Sequence, residues 1–379
     1  MPLIVYDLIG KHTGETSEKG GSMKTTITSR ERIQRALNHQ NADRVAIQDS
    51  IWRTTQARWH KEGLPEGVAP ATYFDFEMAR IGPDFSLRLP VEVLEETEEY
   101  TIRRNENGRV QKEWKKTTST PMLLSYAIET PDDWLKHKKL LTPTADRIHR
   151  DRFERLYQNS RREEHFFCIT GGVGYQIITS RVHPDGLLES MLTDPEWVKD
   201  MIDTQTELVL GMLSMLVEED YEIDGYWCSD DLGYRNGLMF SPRIYRELVM
   251  PAHKRVCDYC HSQGLIAVLH TCGNVNEVMD DLIEAGWDCL QPLEVKAQMD
   301  VIALKRQYGD RLALMGGIDV RVMAEGTDEE LEEEIRSKLM VAKEQGGYIY
   351  HSDHSVPDDV SFQRYQRVIE LVHQYGQYA

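Results

Sequence analysis

Residues 265–291 read LIAVLHTCGNVNEVMDDLIEAGWDCLQ. The apolar run at 265–270 has the length of a buried strand. Val275, Val278, Met279 and Leu282 then recur at helical spacing, Gly286 stands where that helix should stop, and a second short apolar run follows at 287–291. Strand, helix and strand in so short a stretch form a βαβ unit, whose two strands are parallel.

The pattern extends outward from this unit. Strand-like stretches occupy 44–48, 84–89, 165–170, 223–228, 265–270, 287–291, 311–315 and 348–350, and from the third onward they alternate with helix-period segments. Ser241-Pro242 opens one such helix as cap and first-turn proline, with Ile244, Leu248, Ala252, Val256 and Cys260 following at four-residue steps. Thr327 and Glu330 have the spacing of a capping box, and Gly264 and Gly309 mark further helix ends. This alternation, without an early Gly-x-Gly-x-x-Gly turn, predicts an α/β fold of the closed (β/α)₈ (TIM) barrel type and not an open dinucleotide-binding sheet. Residues 98–116 break the rhythm. Tyr100, Ile102, Val110 and Trp114 flank Asn105-Glu-Asn-Gly108, which predicts a β-hairpin inserted between barrel units.

Residues 1–22 carry Gly14, Gly20 and Gly21 without periodicity and are expected to be an extension or disordered. A single barrel domain is expected over 23–379, beginning with a helix capped by Thr28 or Ser29 that presents Ile33, Ala36 and Leu37. The chain's 63 acidic against 44 basic residues give a net charge of -19, which disfavours nucleic acid as a partner. No run of eighteen apolar residues is present to span a membrane, and the first ten residues lack the flanks of a signal peptide. A cytoplasmic location is expected. The six scattered cysteines read as free thiols or metal ligands.

Barrel enzymes place their chemistry at the carboxyl ends of the strands. Those ends collect Gln48, Asp84, Gln176, Asp230, Asp231, His270, Cys272, Glu294, Asp319, His351, Asp353 and His354. In His270-Thr-Cys272 an extended chain turns both side chains to one side, so one ion can take both, and imidazole with thiolate suits zinc. A helix N-terminus just after Cys272 would favour its thiolate. The alternative is a buried cysteine beside a hydrogen-bonded histidine. A third ligand is expected from His351-Ser-Asp353-His354. Asp230, Asp231, Glu294 and Asp319 are the candidate catalytic carboxylates; Gln48, Asp84, Gln176 and Asp353 are candidates for substrate binding. Cys257 and Cys260 lie on a helical stripe and Cys289 in a strand, which predicts packing. Gly171-Gly-Val-Gly174 is expected to serve turn geometry.

Taken together, SRERIQRALNHQNADRV from Ser29, DGYWCSDDLGYRNGLMFSPRIYRELVMP from Asp224, HTCGN from His270, EAGWDCLQPLE, LKRQYGDRLALMGGID and GGYIYHSDHSVP resemble the uroporphyrinogen-decarboxylase superfamily in joint order. The decarboxylases' early M-R-Q-A-G-R run, whose arginines bind porphyrinogen carboxylates, is absent. The corresponding IQDSIWRTTQARW keeps only Arg53 and Arg58. The resemblance therefore implies the corrinoid-dependent methyltransferase branch, with metal-free decarboxylation as the alternative. That branch has a zinc motif of His-x-Cys and a later Cys. His270 and Cys272 match, and where the last cysteine would stand this chain offers His354, then Asp353, then His351. The resemblance also implies a homodimer and a separate corrinoid protein as partner, since this chain lacks an Asp-x-His-x-x-Gly segment.

Overall fold

A computed structural model describes residues 27–115 and 121–378. The expected extension at 1–22 and a start at Met23 lie outside the described residues. Eight parallel strands run β1 (Ala46–Ile47), β2 (Met78–Ile81), β3 (Phe166–Gly171), β4 (Gly225–Ser229), β5 (Ile266–His270), β6 (Cys289–Gln291), β7 (Ala313–Met315) and β8 (Tyr348–Tyr350). Each pairs with its sequence neighbour from β2 round to β8, and β8 pairs with β1. Helices follow them on the outside, among them Arg150–Arg162 after β2, Pro195–Glu218 after β3 and Phe362–Tyr375 after β8. This is a (β/α)₈ barrel.

The ring closes between β1 and β2 with help from side chains. Glu77 N donates to Ile47 O (3.0 Å), Ile47 N donates back to Glu77 Oε2 (2.6 Å), and Met78 N donates to Gln48 Oε1 (3.1 Å). Glu77 is fully buried and paired with Arg32 and with Arg44 (3.0 Å). Burial pushes its carboxyl above the usual range, and the two guanidiniums oppose that.

Residue parity separates two cores. Met78, Cys168, Trp227, Val268, Cys289 and Ile349 fill the barrel, and Ile33, Ala36 and Leu37 of the first helix, Ser29–Leu37, plug its lower end. The alternate positions, such as Ile169, Leu269, Leu290 and Tyr350, pack outward against the helices. Two residues further along the inward rows stand Arg80, Thr170, Ser229, His270, Gln291 and His351. The uppermost inward layer is thus polar.

The second strand is Met78–Ile81, not 84–89. Phe85 and Leu87 are buried as their alternation suggests, but Pro83 precedes them and Arg88 has a φ of 57°. The expected hairpin is present as Tyr100–Arg104 and Val110–Trp114, the central pair of a four-stranded antiparallel meander that also takes in Glu92–Glu96 and Met122–Ser125. Lys116, the last residue of the expected 98–116 insertion, lies outside the described residues. Thr28 caps the first helix, and the Thr327–Glu330 capping box is complete. The four-residue repeat from Ile244 to Cys260 is longer than an α-helical turn, and a π-helical turn at Tyr245–Val249, just before Pro251, absorbs part of the difference. No helix of the described residues is long and apolar enough to cross a membrane.

Removing Glu77 takes the shared partner from the buried Arg32, which keeps as carboxylate only the partly exposed Asp43, and from the half-buried Arg44. Glu77→Ala should lower stability by about 3–5 kcal/mol, read from urea denaturation. Glu96→Ala, at the exposed pair with Lys115, should leave the midpoint in place. Equal stability of Glu77→Ala and the parent would show that this carboxylate does not hold the seam.

Candidate metal centre

The loop after β4 runs beside the loop after β5. Asp230 N donates to His270 O (2.9 Å), Gly233 N to Cys272 O (3.2 Å) and Asn274 N to Tyr234 O (2.9 Å). Two glycines permit this approach. Gly273 has a φ of +83°, and a Cβ there would lie 2.2 Å from the carbonyl carbon of Gly233. Asp231 is thereby set against Cys272. Its Oδ1 accepts from Cys272 N (2.9 Å) and lies 3.5 Å from His270 Nε2. From the loop after β6, Glu294 Oε2 accepts from Gly273 N (3.2 Å), while its Oε1 lies 3.8 Å from His354 Nε2.

Two donor groups result, Asp231–His270–Cys272 and Cys272–Glu294–His354, each with its ligand atoms within 4.8 Å of one another. They share Cys272. Its Sγ lies 3.7 Å from His270 Nε2, and a tetrahedral zinc with ordinary Zn–S and Zn–N lengths would set those atoms about 3.6 Å apart. The donor chemistry and spacing fit zinc.

Hydrogen bonds fix which ring nitrogen is free. His351 Nδ1 donates to Ser352 O (2.6 Å), which leaves His351 Nε2 to accept from Gln291 Nε2 (3.2 Å). Gln291 Oε1 then accepts from His270 Nδ1 (2.5 Å), and the His270 Nε2 lone pair faces Cys272. Burial lowers the pKa of His351, in keeping with a neutral ring. His354 Nδ1 donates to Ser355 O (3.3 Å), so its Nε2 is likewise presented.

The expected helix N-terminus is not adjacent to Cys272; helical structure resumes only at Asn276. Burial, with Asp231 and Glu294 nearby, instead pushes the Cys272 thiol well up. A thiol so placed becomes a ligand only when a cation joins it.

Other candidates have structural partners. Asp230 is fully buried, accepts from Gln176 N (2.6 Å) and pairs with His253 Nε2 (3.0 Å); burial raises its pKa. Gly174 makes room for it, since a Cβ there would touch Asp230 Oδ2 at 2.2 Å. Gln176 Nε2 donates to Asp231, which holds that carboxylate in place. Asp319 caps Val320–Glu325 and pairs with Arg321 (2.6 Å), and Asp84 accepts from Ser86 N (2.9 Å). Asp353, pushed up to about 6 by burial, accepts from Val295 N and Val320 N (both 3.0 Å). Gln48 serves the barrel seam. The structure thus places Asp231 and His270 in one donor group and Glu294 and His354 in another, joined at Cys272, and leaves Asp84 and Asp319 bonded within their own turns and Asp353 tying two loops. Cys257, Cys260 and Cys289 are buried in the cores.

A cavity of about 220 Å³ is lined by His270, Cys272, Gln291, His354, Ser50 and Arg80. Arg80 and Ser229 also line a neighbouring cavity of about 710 Å³, which reaches Gln176. Sequence reading missed Arg80, and it named Glu294 and Asp231 as catalytic carboxylates without placing them beside possible metal donors. The parity of the strands was the available signal for Arg80.

Residues 173–375, more than half of the chain, match the family model described as uroporphyrinogen decarboxylase (URO-D). A methylated-thiol–coenzyme M methyltransferase of Methanosarcina mazei is 24% identical over 152 residues, which span 39% of this chain and 38% of that relative. A solved methyltransferase from Methanosarcina mazei superposes with a TM-score of 0.65, covering 92% of this chain and 99% of that one at 15% identity. The two share the fold.

Breaking the hydrogen-bond relay should weaken metal binding without removing a ligand. Gln291→Leu is expected to lower zinc affinity about 10–100-fold, measured by competition with a chromophoric chelator. Unchanged affinity would show that Gln291 does not orient His270.

Proposed function

The chain belongs to the uroporphyrinogen decarboxylase (URO-D) family, and from that premise we propose that it is a zinc-dependent methyltransferase. It moves a methyl group between a small methylated substrate or thiol acceptor and a corrinoid carried by a separate protein. The observation that carries this reading is that Cys272 is shared by two donor groups, one with His270 and Asp231 and the other with His354 and Glu294, and that the hydrogen bonds of each histidine leave its Nε2 free. His270, Cys272 and His354 are the proposed ligands, with Asp231 and Glu294 beside them. Three protein ligands leave zinc an open position for substrate.

Bound there, zinc supplies a Lewis acid that lowers the pKa of a substrate heteroatom. The rest of the chemistry belongs to the chain. Asp231, steadied by Cys272 N and by the Gln176 amide, and Glu294, steadied by Gly273 N, stand ready to take the proton that an acceptor thiol gives up. Asp230 acts at one remove, by fixing Gln176 N. The walls of the smaller cavity hold the reacting heteroatom in line with the mouth, where orientation supplies much of the rate. The corrinoid protein docks over that mouth, and the enzyme works as a cytoplasmic homodimer; the family resemblance supports both. Arg58, in the region corresponding to the decarboxylases' arginine run, pairs with Glu62 (2.5 Å) and lines neither mouth cavity. This disfavours porphyrinogen decarboxylation.

Transfer is followed by the spectral change between cobalt(I) and methyl-cobalt(III), with methoxylated aromatics, methylamines and small thiols as the panel. Zinc-loaded protein should turn over at least one class. Cys272→Ala should lose zinc and transfer by more than about 100-fold, beyond the range of a change behind the ligands, with its fold retained. Cys260→Ala should remain active. Release of carbon dioxide from uroporphyrinogen by metal-free protein would overturn the assignment.

A further inference from the structure

His253 is fully buried on the helix Met250–Ser262 and lines neither mouth cavity. Its Nδ1 lies 3.1 Å from Tyr245 Oη and 3.3 Å from Trp287 Nε1, and its Nε2 lies 3.0 Å from Asp230 Oδ2. An indole N–H can only donate. Nδ1 is therefore the acceptor, and the ring proton sits on Nε2, which donates to Asp230. The backbone is shaped to make this contact. Tyr245 and His253 stand eight residues apart, which in an uninterrupted α-helix would leave them about 80° out of line. The π-helical turn at Tyr245–Val249 takes up an extra residue and brings the two rings to 5.7 Å. Replacing a buried polar pair by apolar packing is often neutral or stabilising, so stability alone gives no reason for this pair. Its other end leads to the mouth. Asp230 Oδ1 accepts from Gln176 N (2.6 Å), and the Gln176 amide donates to Asp231 Oδ2. Asp231 Oδ1 in turn accepts from Cys272 N (2.9 Å) and lies 3.5 Å from His270 Nε2.

We propose that His253 is a positioning residue for the metal centre: by donating its Nε2–H to Asp230 it fixes the loop at 172–176 and, through the Gln176 amide, the Asp231 carboxylate beside Cys272 and His270. For what happens at Cys272 this rests on the zinc reading; for the hold on the loop it stands on the hydrogen bonds alone. Trp287 acts by setting the tautomer, and the π-helical turn by setting the register. Val249 of that turn also closes on Gly174, where a Cβ would lie 2.9 Å from Val249 Cγ1, so the helix and the loop meet on both sides of Asp230. Without the His253 donor, Asp230 would keep a buried acceptor atom unpaired and would lose the contact that fixes its orientation toward Gln176 N. Polar networks of this kind specify one geometry only when every member is satisfied.

Two variants of the full-length protein separate the donor from the space it fills. His253→Gln keeps an amide N–H near the place of Nε2–H, whereas His253→Leu fills the site without a donor. Backbone hydrogen exchange of the zinc-free proteins is followed at 172–180, with 331–342 as the control, and zinc affinity is measured by competition with a chromophoric chelator. His253→Leu should exchange about tenfold faster at 172–180 with the control unchanged, and should bind zinc about tenfold or more weakly. His253→Gln should restore both to within about twofold of the parent. Should His253→Leu fail to fold, His253→Asn carries the test: its shorter amide stays at the Nδ1 end, falls short of Asp230, and should show the same losses. Unchanged exchange, faster exchange with unaltered zinc affinity, or a His253→Gln protein as impaired as His253→Leu would overturn the proposal. A parent protein that takes up no zinc would contradict the metal reading, and the exchange arm would then decide this proposal by itself.

Discussion

Closure of the barrel depends on a seam that backbone pairing alone does not make. β1 is two residues long, and between it and β2 the Glu77 carboxylate and the Gln48 amide take positions that main-chain groups hold elsewhere. Glu77 also gathers Arg32 from the first helix and Arg44 from the approach to β1. One buried carboxylate therefore joins the plug at the lower end to the ring above it. Such a group is costly to bury and more costly to orphan. With the seam closed, Ser50 and Arg80 from its two sides meet His270, Cys272 and Gln291 from the opposite strands around one cavity. Opened there, the strands would still present polar ends, but not to each other.

The strand period then sorts chemistry from packing. Inward positions are apolar through the middle of the barrel and become polar in the last layer, so the floor of the mouth is dry and its lining is hydrogen-bonded. The polar layer is stabilised by being connected. A line of bonds from the Ser352 carbonyl through His351 and Gln291 to His270 satisfies each group and leaves one nitrogen over. That remaining lone pair faces a thiol which burial and two carboxylates keep protonated. Taken alone, this collection of acids and a thiol is poorly matched; a divalent cation bound there, as proposed, would resolve it.

The sequence made much of this legible. Helix caps at Thr28 and Thr327, the hairpin at Asn105–Gly108 and the His270–Cys272 pair depend on neighbours a few residues apart, where local geometry decides the outcome. The second strand was not legible. Met78–Ile81 carries an arginine at its third position and looks unlike a buried strand, whereas 84–89 alternates and buries Phe85 and Leu87 without pairing. Losing that strand also lost Arg80. Likewise, the sequence lists polar residues at strand ends but not which of them tie loops. Asp353 is spent on the backbone N–H groups of Val295 and Val320, while Glu294 reaches the thiol side. Such partners come from other strands, and only the closed ring brings them together.

X-ray absorption at the zinc edge of the purified, untagged protein tests the proposed zinc site at Cys272 most directly. One sulfur at about 2.3 Å with nitrogen or oxygen neighbours at about 2.0–2.1 Å, at about one zinc per chain, is the expected result. A zinc signal without a sulfur neighbour, or protein that takes up no zinc, would contradict it.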